Sequence, residues 1–321
     1  MPEVIIFLIS ITAVIKGADW LGEASVDVAK RLGIPQLLIG ATLVSVATTL
    51  PETLIAFFAG ASSNSGIVLG TVLGSPIANL GLILGIVFFF GHVRPEKGYF
   101  TRTMNIFIFL LALVLVMGVG GAINPFGGWV LLSLAVIYLV LEFVISKSEE
   151  NIVSQIESRF ERVSSFFNHS DGYKDILLFL LGAVVLGFGA KFLVDSATVT
   201  AQTINIPTII IAVTAIAFGT SLPELATAIH SIIKGRLSLS LGNLAGASVL
   251  DFTMALGAGA LVNPLIIPRG VLILSIGVLF IISILSLASV LTKISVEKIG
   301  IALIFLFFVF ILTFVSIELS I

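Results

Sequence analysis

The sequence predicts an all-α polytopic membrane protein of ten transmembrane helices, arranged as two inverted five-helix repeats with both termini outside. Three observations carry that expectation. Of 321 residues, 58% are hydrophobic and 11% charged, with a mean hydropathy of +1.22, whereas soluble domains carry about a quarter charged residues. Residues 17–85 recur at 189–257 with a constant offset of 172 and no insertion or deletion. The basic residues fall overwhelmingly into alternate loops. The net charge of −2 offers no basic surface for nucleic acid, and the absence of cysteine removes thiol ligation, disulfides and thiol redox chemistry. The opening M-P-E-V-I-I-F lacks the basic n-region of a cleaved signal peptide, so it reads as a retained first helix.

The spans follow in order. A spanning helix needs about 20 mostly apolar residues, and the chain offers ten such stretches, near 4–24, 34–60, 66–91, 104–121, 125–146, 175–197, 206–232, 238–262, 268–291 and 297–319. Turn signals separate them at Ser62–Gly66, Asn124–Gly128, Lys234–Arg236 and Asn263–Pro264. With this count one side of the membrane holds Lys30, Arg31, Arg94, Lys97, Arg102, Lys147, Arg159, Arg162, Lys174, Lys234, Arg236, Lys293 and Lys298. The other side holds only Arg269, while Lys16 and Lys191 lie within helices. The positive-inside rule puts the thirteen in the cytoplasm and both termini outside. Five spans per half is an odd number, so the second copy enters from the opposite side, as in secondary transporters. The division is a first half at 1–146, a linker at 147–174 and a second half at 175–321. Within the linker, Ile152, Ile156, Phe160, Val163 and Phe167 recur every three or four residues, the pattern of an amphipathic helix lying on the cytoplasmic headgroups. The 25 phenylalanines are expected to face lipid.

Each half carries an acid inside an apolar run, in A-T-T-L-P-E ending at Glu52 and G-T-S-L-P-E ending at Glu224. A carboxylate in hydrocarbon costs about 3 kcal/mol on insertion scales, so a duplicated one is a functional hypothesis by default. Pro51 and Pro223 lack an amide hydrogen, which leaves the carbonyls of Ala47 and Gly219 without their helical donor. Thr48 with Glu52, and Thr220 with Glu224, share a face at i, i+4. A second element per half, 70–79 and 242–251, adds Ser75 and Asn79 in one copy and Asp251 in the other. Its glycines, Gly70 and Gly74 or Gly242 and Gly246, are expected to bring the two elements together.

Hard oxygens without His or Cys suit Ca2+ or alkali cations. Removing the cation leaves uncompensated buried charge, so Na+ or H+ must return in its place, which favours an exchanger over a channel. Locking the helices by ion pairs would need basic partners inside the membrane. Only Lys16 and Lys191 exist, and each has an aspartate close by, Asp19 and Asp195.

At these residues the chain resembles the sodium/calcium exchanger branch of the cation/Ca2+ exchanger superfamily, whose repeats carry G-T-S-L-P-E and G-N-x-x-G-S-x-x-x-N/D. Gly219–Glu224 matches outright, and the first copy differs at Ala47 and Thr49. The resemblance implies Ca2+ coordination by Glu52, Glu224, Thr48 and Thr220. It implies Na+ coordination by the same glutamates with Ser45, Thr49, Ser75, Ala217 and Ser221, and a central polar pair of Asn79 and Asp251. It further implies an antiporter of the cell membrane exchanging Ca2+ for Na+, not an enzyme, with no cofactor and no obligatory protein partner. One position departs: the family serine after G-N-x-x-G is Ala247, with Ser248 next and rotated by about 100°. Either water or Ser248 substitutes, or Na+ coupling weakens and protons take part. An H+/Ca2+ antiporter is therefore the alternative, with a cation channel or an ion-sensing membrane scaffold as a third class.

Overall fold

The computed structural model describes residues 2–31, 45–92, 94–95, 97–147, 170–233 and 237–320. They form α1 (Pro2–Arg31), α2 (Ser45–Ala61), α3 (Ser65–Gly91), α4 (Lys97–Gly118), α5 (Pro125–Lys147), α6 (Ser170–Thr203), α7 (Thr208–Thr220), α8 (Leu222–Ile233), α9 (237–260), α10 (Arg269–Leu291) and α11 (Val296–Ser320). A two-residue ribbon pairs β1 (Ala122–Ile123) antiparallel with β2 (Leu265–Ile266), Ala122 opposite Ile266. Among the described residues seven helices are long and apolar enough to cross a membrane, and Val4–Gly17, Ser45–Ala61 and Thr208–Thr220 are shorter apolar helices. The shortfall has local causes. Charged Lys16, Asp19 and Glu23 interrupt the apolar part of α1, and a non-helical Ser221 (ψ 1°) separates α7 from α8. Two expected boundaries also move: α4 starts at Lys97 rather than near 104, taking Arg102 into the helix, and α6 runs from Ser170 to Thr203. The amphipathic helix expected at 152–167 lies outside the described residues.

The 172-residue offset extends well past the sequence repeat. A Cβ on Gly85 would lie 2.9 Å from the Gly300 carbonyl oxygen and one on Gly257 would lie 3.1 Å from that of Gly128, contacts related by the same offset. Contacts between the halves come in exchanged pairs. A Cβ on Gly17 would lie 2.6 Å from the Leu186 nitrogen, and one on Gly189 would lie 3.0 Å from the Val14 nitrogen. Each contact becomes the other when the halves are swapped, and the residues run in opposite order, so α1 and α6 are antiparallel. Gly74 against Ala217 and Gly246 against Ser45 form a second exchanged pair. The expected role of these glycines is thereby corrected: Gly70 and Gly74 face Ala212 and Ala217 of the other half, and Gly246 faces Ser45. The small-residue ridges join the halves rather than the two elements within one.

Helices α3 and α9 are central, with 83% and 94% of their apolar windows buried against 28–44% for the five other long spans. Each contains a π turn at an equivalent place, Ala78–Ile83 and Asp251–Ala255, where Leu84 donates to the Asn79 carbonyl and Leu256 to that of Asp251. Such turns insert one extra residue into the ladder and cluster at functional sites. The loops sort into two faces. On one, Asn263 Nδ2 donates to the Gly60 carbonyl, the Ile266 amide donates to Ser65 Oγ, and Asn64 links Thr198 and Thr208. On the other, Arg94 donates to the carbonyls of Ser289, Thr292 and Ile294, and His92 pairs with Glu297. Both chain ends belong to the first face: Glu318 and Leu319 share a groove with 201–208, and α1 runs antiparallel to α6. The second face carries Arg94, Lys97, Lys293 and Lys298. Phenylalanine is not only lipid-facing bulk, since Phe88, Phe107, Phe252, Phe310 and Phe314 are fully buried and Phe107 meets Phe252 edge to face.

A Cβ on Gly60 would overlap the Gly259 carbonyl, whereas one on Gly277 meets nothing within 4 Å. Gly60→Ala is therefore expected to destabilise by about 2 kcal/mol through overpacking, and Gly277→Ala, mid-helix in α10, to be neutral or slightly stabilising. Thermal melts of the two purified variants in detergent check this.

Candidate ion-binding site

The two acidic motifs meet where the halves cross. Pro51 is accommodated within the continuous α2, so Glu52 sits inside a helix, whereas the break at Ser221 puts Glu224 in the first turn of α8. Glu52, Glu224 and Asp251 are each only 1% exposed. Their partners cross the axis: the Thr220 hydroxyl lies against the Glu52 carboxylate and the Thr48 hydroxyl against that of Glu224. Those two contacts are another exchanged pair. Ser75 Oγ donates to Glu52 Oε1 at 3.4 Å, and Asn79 Nδ2 donates to Ser75 Oγ at 3.5 Å. Asp251 is within electrostatic reach of both glutamates and lies against Ser75.

The π turns explain why Asn79 and Asp251 reach this point, because the extra residue rotates the helix face at each of them. Among the described residues, no hydrogen-bonding partner is found for buried Glu52 Oε2, Asn79 Oδ1, Ser221 Oγ or either Asp251 oxygen. Buried polar atoms are normally paired, and four of these five are acceptors or anionic, so the chemistry they lack is a cation's or a proton's. Among the described residues no group of three acids or histidines closes on a single point.

The remaining predicted residues behave differently. Thr49 is 1% exposed and donates to the Ser45 carbonyl at 2.7 Å, with Thr48 Oγ1 at 3.4 Å from the same oxygen. The Ala217 carbonyl accepts from Thr220 Oγ1 at 3.2 Å, repeating that arrangement in the second half. Ser45 Oγ donates to Asn243 Oδ1 at 3.0 Å. Ser248 does not substitute for the missing hydroxyl: its Oγ donates to the Leu244 carbonyl of its own helix at 2.9 Å. Lys16 pairs locally with Asp19 at 3.7 Å, both well exposed, and is not a partner for the glutamates.

Sequence reasoning missed Asn243, Tyr99, Tyr138 and the Arg102–Glu142 pair. Arg102 holds the 3%-exposed Glu142 through two bonds of 3.3 and 2.7 Å. The signal was present, since Glu142 is the one acid within the apolar run 125–146 and an intramembrane acid marks a site by default.

An all-helical membrane fold whose two similar halves cross at buried acids is the architecture of a secondary ion transporter. A profile of the sodium/calcium exchanger protein family matches residues 3–144 and again 174–316, and the chain belongs to that family. It is similar to the inner membrane protein YrbG of Escherichia coli, 32% identical over 81% of this chain and 79% of that one. It is likewise similar to the sodium/calcium exchanger MaX1 of Methanosarcina acetivorans, 28% identical over 92% and 93% of the two chains. A solved structure of the sodium-calcium exchanger NCX_Mj, soaked with Na+ and Sr2+, superposes with a TM-score of 0.67 at 27% identity, covering 96% of this chain and 97% of that one.

The crossed pairing makes Thr48 and Thr220 equivalent. Thr48→Val and Thr220→Val are each expected to weaken Ca2+ binding by roughly tenfold, about 1.4 kcal/mol, and to do so equally. The Ca2+-dependent rise in melting temperature of each purified variant measures it.

Proposed function

We propose that the protein is a secondary active antiporter that exchanges Ca2+ for Na+ across the cell membrane, working by alternating access at Glu52, Glu224 and their oxygen neighbours near mid-membrane. The observation that carries this reading is the crossed contact of Thr220 with Glu52 and Thr48 with Glu224, among buried acceptor oxygens that lack donors. Hard oxygens of this kind fit Ca2+ and Na+ as transported substrates. In this reading Glu52, Glu224, Thr48 and Thr220 bind Ca2+. Na+ uses the glutamates with Ser75, Thr49, Ser221 and the carbonyls of Ser45 and Ala217, and Asn79 with Asp251 completes the centre. Buried acids cannot be left bare, so one cation departs only as another arrives, which is the physical basis of obligatory exchange.

The chain then crosses the bilayer ten times as two inverted five-helix halves, 1–146 and 175–321, joined by the linker 147–174. The basic face is cytoplasmic and both termini are outside, in accordance with the positive-inside rule. Helices α1 and α6 are the mobile pair. Their close backbone contact at Gly17 and Gly189 supports sliding without large side chains to interlock.

One observation favours H+ as the returning ion instead. Ala247 offers no hydroxyl and Ser248 is bonded to its own helix, so one oxygen of a Na+ site is absent from α9. Uptake of 45Ca2+ into proteoliposomes with an outward Na+ gradient, compared with an outward H+ gradient, decides between them. Na+-driven uptake at least tenfold above the no-gradient rate is expected, roughly a 1.4 kcal/mol difference in effective barrier, and Glu52→Gln is expected to abolish it. Uptake driven by H+ alone makes the protein an H+/Ca2+ antiporter, and uptake indifferent to both gradients rejects exchange.

A further inference from the structure

The two halves serve as controls for one another. Ser75 and Ala247 are equivalent positions, as are Ser45 and Ala217. A Cβ on Gly74 would lie 2.8 Å from Ala217 Cβ, and one on Gly246 would lie 2.8 Å from Ser45 Oγ. The segment carrying Ser75 therefore faces Ala217, while the segment carrying Ala247 faces Ser45. Each side of the site has one serine, supplied from opposite helices. The hydroxyl absent at Ala247 is present on the helix across from it.

The surroundings of Ser45 are built around that oxygen. Its side chain is fully buried and gives its proton to Asn243 Oδ1 at 3.0 Å, so towards any other group this oxygen acts as an acceptor. Its carbonyl receives Thr48 and Thr49, and Thr48 in turn lies against Glu224. The Tyr99 and Tyr138 hydroxyls, 3.3 Å apart, crowd the same spot: a Cβ on Gly246 would lie 3.1 and 3.2 Å from them. Tyr99 also donates to the Gly242 carbonyl at 3.3 Å. Behind them stands the Arg102–Glu142 pair. At the equivalent places in the other half are Thr71 for Asn243, Val271 for Tyr99, Leu274 for Arg102, Phe310 for Tyr138 and Phe314 for Glu142. The same packing is thus achieved there almost entirely with apolar side chains, so the fold does not require these oxygens.

We propose that the coupling-ion subsite on the basic-face side is completed by Ser45 Oγ in place of the hydroxyl missing at Ala247. Asn243 and the Tyr99–Tyr138 pair act as positioning residues for it, and the ion it takes is Na+. A set of neutral oxygens sharing a single carboxylate suits a hard monovalent cation better than a divalent one. The inference rests on the exchange reading above and names the residue that sets its coupling ion.

The test moves the hydroxyl back. In proteoliposomes, Ser45→Ala is expected to raise the half-saturating Na+ for Ca2+ uptake roughly tenfold, and Ser45→Ala/Ala247→Ser to return it to within about twofold of wild type. Equal melting temperatures of the single and double variants without Na+ are expected, which separates recovery of the subsite from recovery of folding. Tyr138→Phe, which removes only a hydroxyl, is expected to raise the same quantity about threefold. Wild-type Na+ dependence in Ser45→Ala, or a double variant no better than the single, overturns the proposal. An unaltered Tyr138→Phe overturns the tyrosine's part in it. If wild type shows no Na+-driven uptake, the antiport reading fails while the subsite is still read by the Na+-dependent rise in melting temperature in detergent, with choline at equal ionic strength as the reference. A rise lost in Ser45→Ala and regained in the double variant supports the subsite, and no Na+ effect on wild type overturns it.

Discussion

Three carboxylates, at Glu52, Glu224 and Asp251, are buried to 1% exposure among oxygens, and the rest of the molecule is arranged around that burden. Three ion pairs, Lys16–Asp19, His92–Glu297 and Arg102–Glu142, lie elsewhere in the molecule. In the proposed reading, mobile cations balance the charge of the site. A buried charge without a partner costs several kcal/mol even after relaxation, so the site is comfortable only when loaded. In the proposed exchange, this cost means that the conformation exposing the site empties it only by refilling it.

Holding the acids away from water dictates the layering. The most buried helices, α3 and α9, are those that carry Asn79 and Asp251, and each has a π turn at that residue. Helices α4, α5, α10 and α11 and the long α6 are half or more exposed over their apolar windows and form the wall against lipid. The glycines of α3 and α9 admit the opposite half to backbone contact, so the acids of both halves reach one region. In this arrangement the symmetry is a working part. Each threonine contributes to the surroundings of the other half's glutamate.

The departures from symmetry are as informative as the symmetry. The first motif keeps its helix through Pro51 while the second breaks at Ser221. Asp251 opposes Asn79, and the polar set of Tyr99, Tyr138, Asn243 and Glu142 faces mostly apolar counterparts. Tyr138 against Phe310 keeps the packing volume, whereas Tyr99 against Val271 does not. What changes in both is the placement of oxygens, which governs ions and not architecture.

Composition, the 172-residue repeat and the loop charges were enough for a membrane-embedded helical fold built from two related halves, because hydrocarbon leaves the backbone few alternatives. They were enough also to single out Glu52, Glu224 and their threonines as candidates, since an acid in an apolar run is costly wherever the chain goes next. Local pattern could not reveal that Thr48 serves Glu224 rather than Glu52, that the glycine ridges bind across the halves, or that Ser248 turns back onto Leu244. Nor could it reveal the π turns or the company of Ser45, Asn243 and the two tyrosines. Most depend on contacts between residues far apart in the chain, or on a one-residue slip in a helical ladder that leaves no mark on the apolar period. The chemistry of the site was written in residue types along the chain, and the pairing of those residues was decided only when the two halves met.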